Sequence, residues 1–194
     1  MRAVLFLFLF FWGTAVMAIE EPKYTVLRTT DLYEIRDYAD RVAVETIQGD
    51  GENGAFQRLF KYISGANVQS SKIAMTVPVT QSTKIAMTAP VTQSTGKDGT
   101  AMRFFLPASY TMDTAPVPSD DRVKLVLVRG GIYAVHRYSG RSSVKNFNDA
   151  AQTLFDALRR DGLTAVGVPI KATYNGPFTP FFLRRNEAMV RIDG

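Results

Sequence analysis

The feature that most constrains the fold is a repetition of one half of the chain in the other half. Four residues of the first half recur in the same order 91 residues later: Ala43, Val44, Gly49 and Phe56 as Ala134, Val135, Gly140 and Phe147. In each half, a strand-like segment precedes a glycine and then a helix-like segment. Two β-rich halves with one helix each predict an α+β domain with a pseudo-two-fold axis. We expect a barrel-like, distorted antiparallel sheet flanked by two α-helices.

Two segments have the 3.6-residue periodicity of amphipathic helices. The first, before Ser64-Gly65, has an apolar stripe made of Phe56, Leu59, Phe60 and Ile63. The second has a longer stripe made of Val144, Phe147, Ala151, Leu154, Phe155 and Leu158. It ends at two basic residues, Arg159 and Arg160, which suit the negative end of a helix dipole.

Much of the remaining chain has the alternating pattern of short strands. β-branched and aromatic residues alternate over residues 41–47, 102–106, 124–128 and 132–138. Gly130 and Gly131 separate the last two segments and predict a hairpin between them. Residues 115–121 are predicted to form a loop, because Pro116 and Pro118 are excluded from a central strand.

Residues 1–18 form a segment distinct from the rest. Arg2 is followed by about ten apolar residues and then by small residues at Val16 and Ala18, which is typical of a secretory signal peptide. The apolar stretch is short for a transmembrane helix, and a chain without cysteine has no lipid-attachment site. We expect a soluble, exported domain over residues 19–194, without a stable membrane anchor. Its short, cysteine-free sequence favours a Gram-negative periplasm over eukaryotic secretion.

Composition excludes several classes of function. With 46% hydrophobic and 21% charged residues, the chain is neither disordered nor a multi-span membrane protein. Its net charge of +5 is not concentrated in a basic run, which argues against nucleic acid as a partner. The absence of cysteine excludes thiol nucleophiles, and a single histidine excludes multi-histidine metal sites. A G-x-G-x-x-G pattern at 49–54 carries acidic residues that would repel a pyrophosphate. We therefore predict a binding protein rather than an enzyme.

A second repeat places a methionine at the centre of two nearly identical segments. Residues 72–83 (KIAMTVPVTQST) are followed directly by residues 84–95 (KIAMTAPVTQST). Alternate apolar positions predict a strand with one apolar face in each copy, carrying Met75 and Met87. These methionines either fill gaps in the core or line a ligand.

Several segments resemble the SOUL haem-binding protein family. They are residues 33–38 (YEIRDY), 42–46 (VAVET), 84–91 (KIAMTAPV), 137–140 (RYSG) and 174–187 (YNGPFTPFFLRRNE). The resemblance covers nearly the whole mature chain in the family's order. It implies the family's fold, a distorted antiparallel β-barrel with two long helices, and non-covalent binding of haem or another tetrapyrrole.

The resemblance also implies where the ligand would bind. The family's groove lies beside the first helix and the following strand, which here carry Arg58, Lys61 and Met75 or Met87. Arginine and lysine would pair with the haem propionates while methionine packs on the porphyrin. The alternative is that Arg58 and Lys61 belong to a solvated helix face. Because the methionine segment is commonly single in the family, either copy is a candidate.

His136 is the single histidine and therefore the one candidate imidazole ligand for haem iron. Its repeat partner is Glu45, on the more polar face of its strand, which favours a partly exposed histidine with a structural role. Tyrosine, methionine or no protein ligand are alternatives. The sequence predicts an exported protein that buffers, carries or scavenges a tetrapyrrole. The competing hypothesis is a module that binds another flat apolar molecule, or a partner protein, on the same fold.

Overall fold

The computed structural model describes residues 19–49, 54–69 and 82–193. Residues 1–18, with the predicted signal peptide, lie outside these ranges, and so does Met75 with most of the first methionine segment. The described elements follow in the order β1 (Tyr24–Thr29), β2 (Glu34–Tyr38), β3 (Arg41–Ile47), α1 (Gly54–Ile63), β4 (Asn67–Val68), β5 (Val91–Gly96), β6 (Gly99–Phe105), β7 (Val117–Pro118), β8 (Lys124–Val128), β9 (Gly131–Tyr138), α2 (Val144–Arg160), β10 (Ala165–Thr173), a 3₁₀ turn (Phe181–Leu183) and β11 (Asn186–Ile192).

Nine of these strands form one antiparallel sheet in the order β1-β2-β9-β11-β10-β5-β6-β3-β8. The sheet is curled into a half-barrel, and α1 and α2 pack against it. β4 and β7 form a separate two-stranded pair, so Pro118 lies outside the main sheet as predicted. These features confirm the predicted α+β class and the antiparallel sheet flanked by two helices. None of the described helices is long and apolar enough to cross a bilayer.

The strand order also confirms the predicted pseudo-two-fold arrangement. Counted outward from the centre, β5, β6, β3 and β8 on one side match β10, β11, β9 and β2 on the other. One repeat is therefore β2-β3-α1-β5-β6 and the other is β8-β9-α2-β10-β11. The first strand of each repeat pairs within the sheet of the other repeat, and this exchange joins the two halves.

The 91-residue spacing between the two halves is wrong by one residue in the strands. Val44 packs in the core cluster of α1, beside Leu59, and Ala134 packs in the core cluster of α2, beside Leu154. These equivalent positions lie 90 residues apart. Because side chains alternate between the faces of a strand, a slip of one residue moves every side chain to the opposite face. Ala43 and Ala134, which the sequence paired, thus lie on opposite faces.

The predicted hairpin at Gly130 and Gly131 is also wrong. β8 pairs with β3, whereas β9 pairs with β2 and β11, so the glycines cross from one side of the sheet to the other. At this point the chain passes the link between β2 and β3, and Gly130 donates its N–H to Asp40 Oδ1 at 2.8 Å. We call this contact of the two links the strand crossing. Gly130 is required there because the two backbones approach too closely for a side chain, whereas Gly131 adopts a φ of +138° that favours glycine.

Both predicted helices are confirmed, and each covers the same face of the sheet. α1 buries four apolar residues against β3 and β6, namely Ala55, Leu59, Tyr62 and Ile63, in addition to Arg58. α2 begins at Ser143, whose hydroxyl accepts a hydrogen bond from the backbone of Asn146 and thereby caps the helix. It ends, as the sequence predicts, with Arg159 and Arg160 in the last turn.

Candidate ligand-binding site

Two phenylalanines form an apolar surface on one flank of α1. Phe56 and Phe60 are one turn apart on α1, and their rings are nearly parallel with centroids 6.0 Å apart. Phe56 also meets Phe104 of β6, with centroids 5.2 Å apart, so this flank of the helix is turned towards β6 and β5. The Phe60 side chain remains 45% exposed.

The second methionine segment contacts the C-terminal end of α1, but it does not form the predicted strand. Residues 82–87 have no regular structure, and β5 begins only at Val91, directly after Pro90, which has no N–H for a ladder. Ile85 donates its N–H to the carbonyl of Ile63 at 2.8 Å and is buried against α1. Two residues later, Met87 is 40% exposed. We call Phe56, Phe60 and Met87 together the α1 patch.

Arg58 does not belong to this patch. Two residues on a helix are about 200° apart when viewed along its axis, so Arg58 and Phe56 or Phe60 lie on opposite flanks. The Arg58 guanidinium is bonded to Thr46 Oγ1 at 3.1 Å and to the Ile47 carbonyl at 2.7 Å, and the residue is only 8% exposed. Its observed contacts therefore fasten α1 to the end of β3.

Lys61 has the opposite environment from Arg58. It lies in the last turn of α1 and is exposed. Residues one position apart on a helix differ by about 100°, so Lys61 borders the surface that Phe60 presents. Of the two cations that the sequence singled out, Lys61 is thus the one with a side chain available to an external anion.

His136 lies in the other half of the molecule. It shares a strand face with Ala134, which packs against α2, and its Nδ1 is 2.6 Å from the Leu32 carbonyl oxygen. With the corrected spacing of 90 residues, its equivalent in the first half is Thr46 rather than Glu45. The structure therefore does not bring His136 together with the α1 patch. In residues 19–49, 54–69 and 82–193, no three acidic or histidine side chains cluster as a metal site requires.

The face of the sheet opposite the helices holds a buried ionic cluster that the sequence did not predict. Glu187, fully buried on β11, accepts hydrogen bonds from three side chains. Arg36 Nη1 lies 3.2 Å from both carboxylate oxygens, Arg185 Nη2 lies 2.9 Å from Oε1, and Tyr174 donates to Oε2 at 2.6 Å. Burial and the adjacent carboxylate raise the pKa of Tyr174, so its hydroxyl keeps the proton that it donates.

A cavity opens next to this cluster, on the same face. Its volume is about 70 Å³, and it is partly open to solvent. Its walls come from eight strands of the main sheet and include Tyr38, Arg41, Phe105, Tyr133, Ile170, Tyr174 and Met189. We call it the inner cavity. The sequence showed only that Arg41 lies on a more polar strand face, because residues so far apart in the chain meet only after folding.

Comparison with known proteins identifies both a family and a fold. The sequence matches the family described as "SOUL heme-binding protein" over residues 19–191. No curated protein sequence matches it significantly.

Solved structures share the fold at low sequence identity. An uncharacterized conserved protein from Listeria innocua has a TM-score of 0.56 and 14% identity, with 84% of this chain and 92% of that chain covered. A hydrolase from Listeria innocua has a TM-score of 0.53 and 13% identity, covering 86% of this chain and 94% of that one. The EcmrR C-terminal domain has a TM-score of 0.57 and 9% identity, with 88% and 98% covered. At these identities the likeness concerns the fold alone.

Proposed function

Because this chain belongs to the SOUL haem-binding protein family, we propose that it binds haem or another tetrapyrrole non-covalently and buffers or carries it without catalysis. One observation supports a site on α1: the α1 patch exposes an aromatic ring, Phe60, in the second half of the helix and a thioether, Met87, two residues after the hydrogen bond of Ile85 to the helix end. Exposed large apolar groups that cluster in this way commonly mark ligand or partner sites.

Each part of the proposed site has a distinct physical role. The Phe60 ring and the Met87 side chain offer apolar contact to the flat face of a porphyrin. Lys61, exposed next to Phe60, supplies a positive charge for a propionate at the rim. Arg58 contributes indirectly, because its bonds to β3 hold α1 in position. Haem, when bound, supplies the iron and its ligand-exchange chemistry.

Replacing Met87 with alanine is expected to weaken haem binding by about 1–3 kcal/mol, a 5- to 150-fold increase in Kd. The reason is the loss of apolar contact, so the effect should be nearly independent of salt. Lys61→Glu should cost at most about 1 kcal/mol, and its effect should shrink at high salt because exposed charges are screened. Both are measured by following the Soret band during haem titration at low and high salt.

His136→Ala is the matched control for this titration. It removes a polar ring from the α2 side of the sheet, so we expect the haem Kd to stay within about tenfold of wild type, or about 1.4 kcal/mol. If it weakens binding more than Met87→Ala does, the ligand lies in the other half of the molecule. If haem gives no Soret shift with the wild-type protein, the competing function, binding of another flat apolar molecule or a protein partner, takes its place.

We also propose that the protein is exported and acts in the periplasm or outside the cell. The support is the order of charge, apolar stretch and small residues in residues 1–18. Protein purified from the periplasm is expected to begin at Ile19 when its N-terminus is sequenced. Soluble protein that retains Met1 would contradict export by this route.

A further inference from the structure

The inner cavity is separate from the α1 patch because the sheet lies between them. Tyr133 and Met189, which line the cavity, alternate along their strands with Ala134 and Val190, which pack against α2. Tyr133 and Met189 thus point away from the helices, into the curl of the sheet. A ligand in the inner cavity would therefore not compete for space with one on the α1 patch.

The walls of the inner cavity are mostly apolar and aromatic. Phe105, Tyr133, Ile170 and Met189 come from four strands and face a common space. Tyr38 and Tyr174 add two more rings, and both also adjoin the Glu187 cluster. Aromatic and apolar walls with a few polar groups are typical of small-molecule sites. The body of a suitable ligand is therefore apolar or aromatic.

Charge in the cavity has a single sign. Among the residues that the structure describes, three arginines line it, namely Arg41, Arg103 and Arg129, and neither aspartate nor glutamate does. Arg103 is paired with Glu45 at 2.5 Å, and Arg129 is paired with Asp40 at 2.7 Å. These two arginines are thus largely neutralised by their partners, so a negative ligand group is attracted mainly to Arg41, whose acidic partner Glu20 is farther away, at 3.5 Å.

Of the three arginines, Arg41 is the one with a buried N–H group that has no partner among the described residues. Its Nη2 donates to the Leu106 carbonyl at 3.0 Å and lies 3.5 Å from Glu20. Its Nη1 is buried and has no hydrogen-bond partner among the described residues. Glu20 itself accepts a hydrogen bond from Ala108 N at 2.8 Å. A buried donor without a partner is costly, and a carboxylate reaching Nη1 would remove that cost.

We propose that the inner cavity is a second binding site, for small carboxylates with an aromatic or aliphatic body, whose carboxylate is bound by Arg41. The ring stacks among Phe105, Tyr133 and Met189, and the carboxylate accepts a hydrogen bond from Arg41 Nη1. This site is distinct from the tetrapyrrole site and does not depend on it.

Three isosteric probes test the charge preference on the wild-type protein by calorimetry: 2-naphthoate, 2-naphthamide and 2-naphthylmethylammonium. We expect 2-naphthoate to bind at least tenfold more tightly than either of the others. Arg41→Gln should reduce that preference for the anion to less than threefold. The control Arg159→Gln removes an arginine on α2 that lies outside the cavity lining, is 72% exposed and is salt-bridged to Asp156, and it should change the 2-naphthoate Kd by less than threefold.

A second measurement shows where 2-naphthoate binds and needs no substitution. In a protein labelled at the methionine methyl groups, 2-naphthoate should shift the NMR signal of Met189, which lines the cavity, and leave that of Met87 unchanged. Haem should shift the signal of Met87 and leave that of Met189 unchanged. The proposed tetrapyrrole site and the proposed carboxylate site can therefore be disproved independently. The proposal is overturned if 2-naphthoate does not bind, if the cation binds as tightly, or if Met87 shifts instead of Met189.

Discussion

Replacing Glu187 with glutamine is expected to lower the free energy of unfolding by about 3–5 kcal/mol. The carboxylate is fully buried and lies between two guanidinium groups, those of Arg36 and Arg185. Removing its charge leaves two cations facing each other with only the more exposed carboxylates of Glu34 and Glu21 as partners, and Arg36 is itself almost completely buried. The glutamine keeps the shape, so the loss measures the charge rather than a cavity. The loss in free energy of unfolding is measured by urea denaturation, monitored by circular dichroism.

Glu21→Gln is the matched control for this prediction. Glu21 pairs with the same Arg185, at 2.8 Å, but its side chain is 43% exposed. Exposed ion pairs contribute about 0–1 kcal/mol, so the free energy of unfolding of this variant should lie within about 1 kcal/mol of the wild-type value. Equal losses in the two variants would show that burial of Glu187 is not the source of the effect.

Replacing Gly130 with alanine should be almost as damaging, with a loss of at least about 3 kcal/mol. An added Cβ would lie 2.0 Å from the Tyr38 carbonyl oxygen and 2.7 Å from the carbonyl carbon of Ala39. These are backbone atoms, so relief requires the two links at the strand crossing to separate. Such a separation would displace β2 and β8, the strands through which each half of the sheet pairs with the other half.

Gly176→Ala provides the control for the strand crossing. A Cβ at Gly176 would meet nothing within 4 Å, so we expect stability within about 1 kcal/mol of wild type. Thermal unfolding compares the variants, and a loss of 3 kcal/mol corresponds to about 6–12 °C in Tm for a domain of this size. If Gly130→Ala and Gly176→Ala have the same Tm, the backbone accommodates the methyl group and the close approach does not limit stability.

Local patterns predicted the elements of this protein well. The apolar stripes of residues 56–63 and 144–158 correspond to α1 and α2, and the alternating segments correspond to β3, β6, β8 and β9. Periodicity succeeds here because each element must turn one side to a core. The repeat of these elements then predicted the α+β class and its pseudo-two-fold axis.

The predicted site was less accurate because exposure depends on packing. Arg58 and Lys61 are three residues apart and similar in charge, yet one is buried against β3 and the other is exposed. Phe60, which the sequence assigned to the core stripe, remains 45% exposed beside Met87. Periodicity gives the direction of an apolar face, but it does not give the width of the surface that covers it.

The sequence alone determined which segments become helices and strands, that they come in two similar sets, and that the chain belongs to a haem-binding family. Only the tertiary structure decided which strands pair, that Gly130 lies in a crossing rather than a hairpin, and that Arg41, Tyr133 and Met189 share a cavity. The physical reason is the range of the interactions. Periodicity and turn preferences act over a few residues, whereas strand partners, register and cavities arise from contacts between residues more than 150 positions apart.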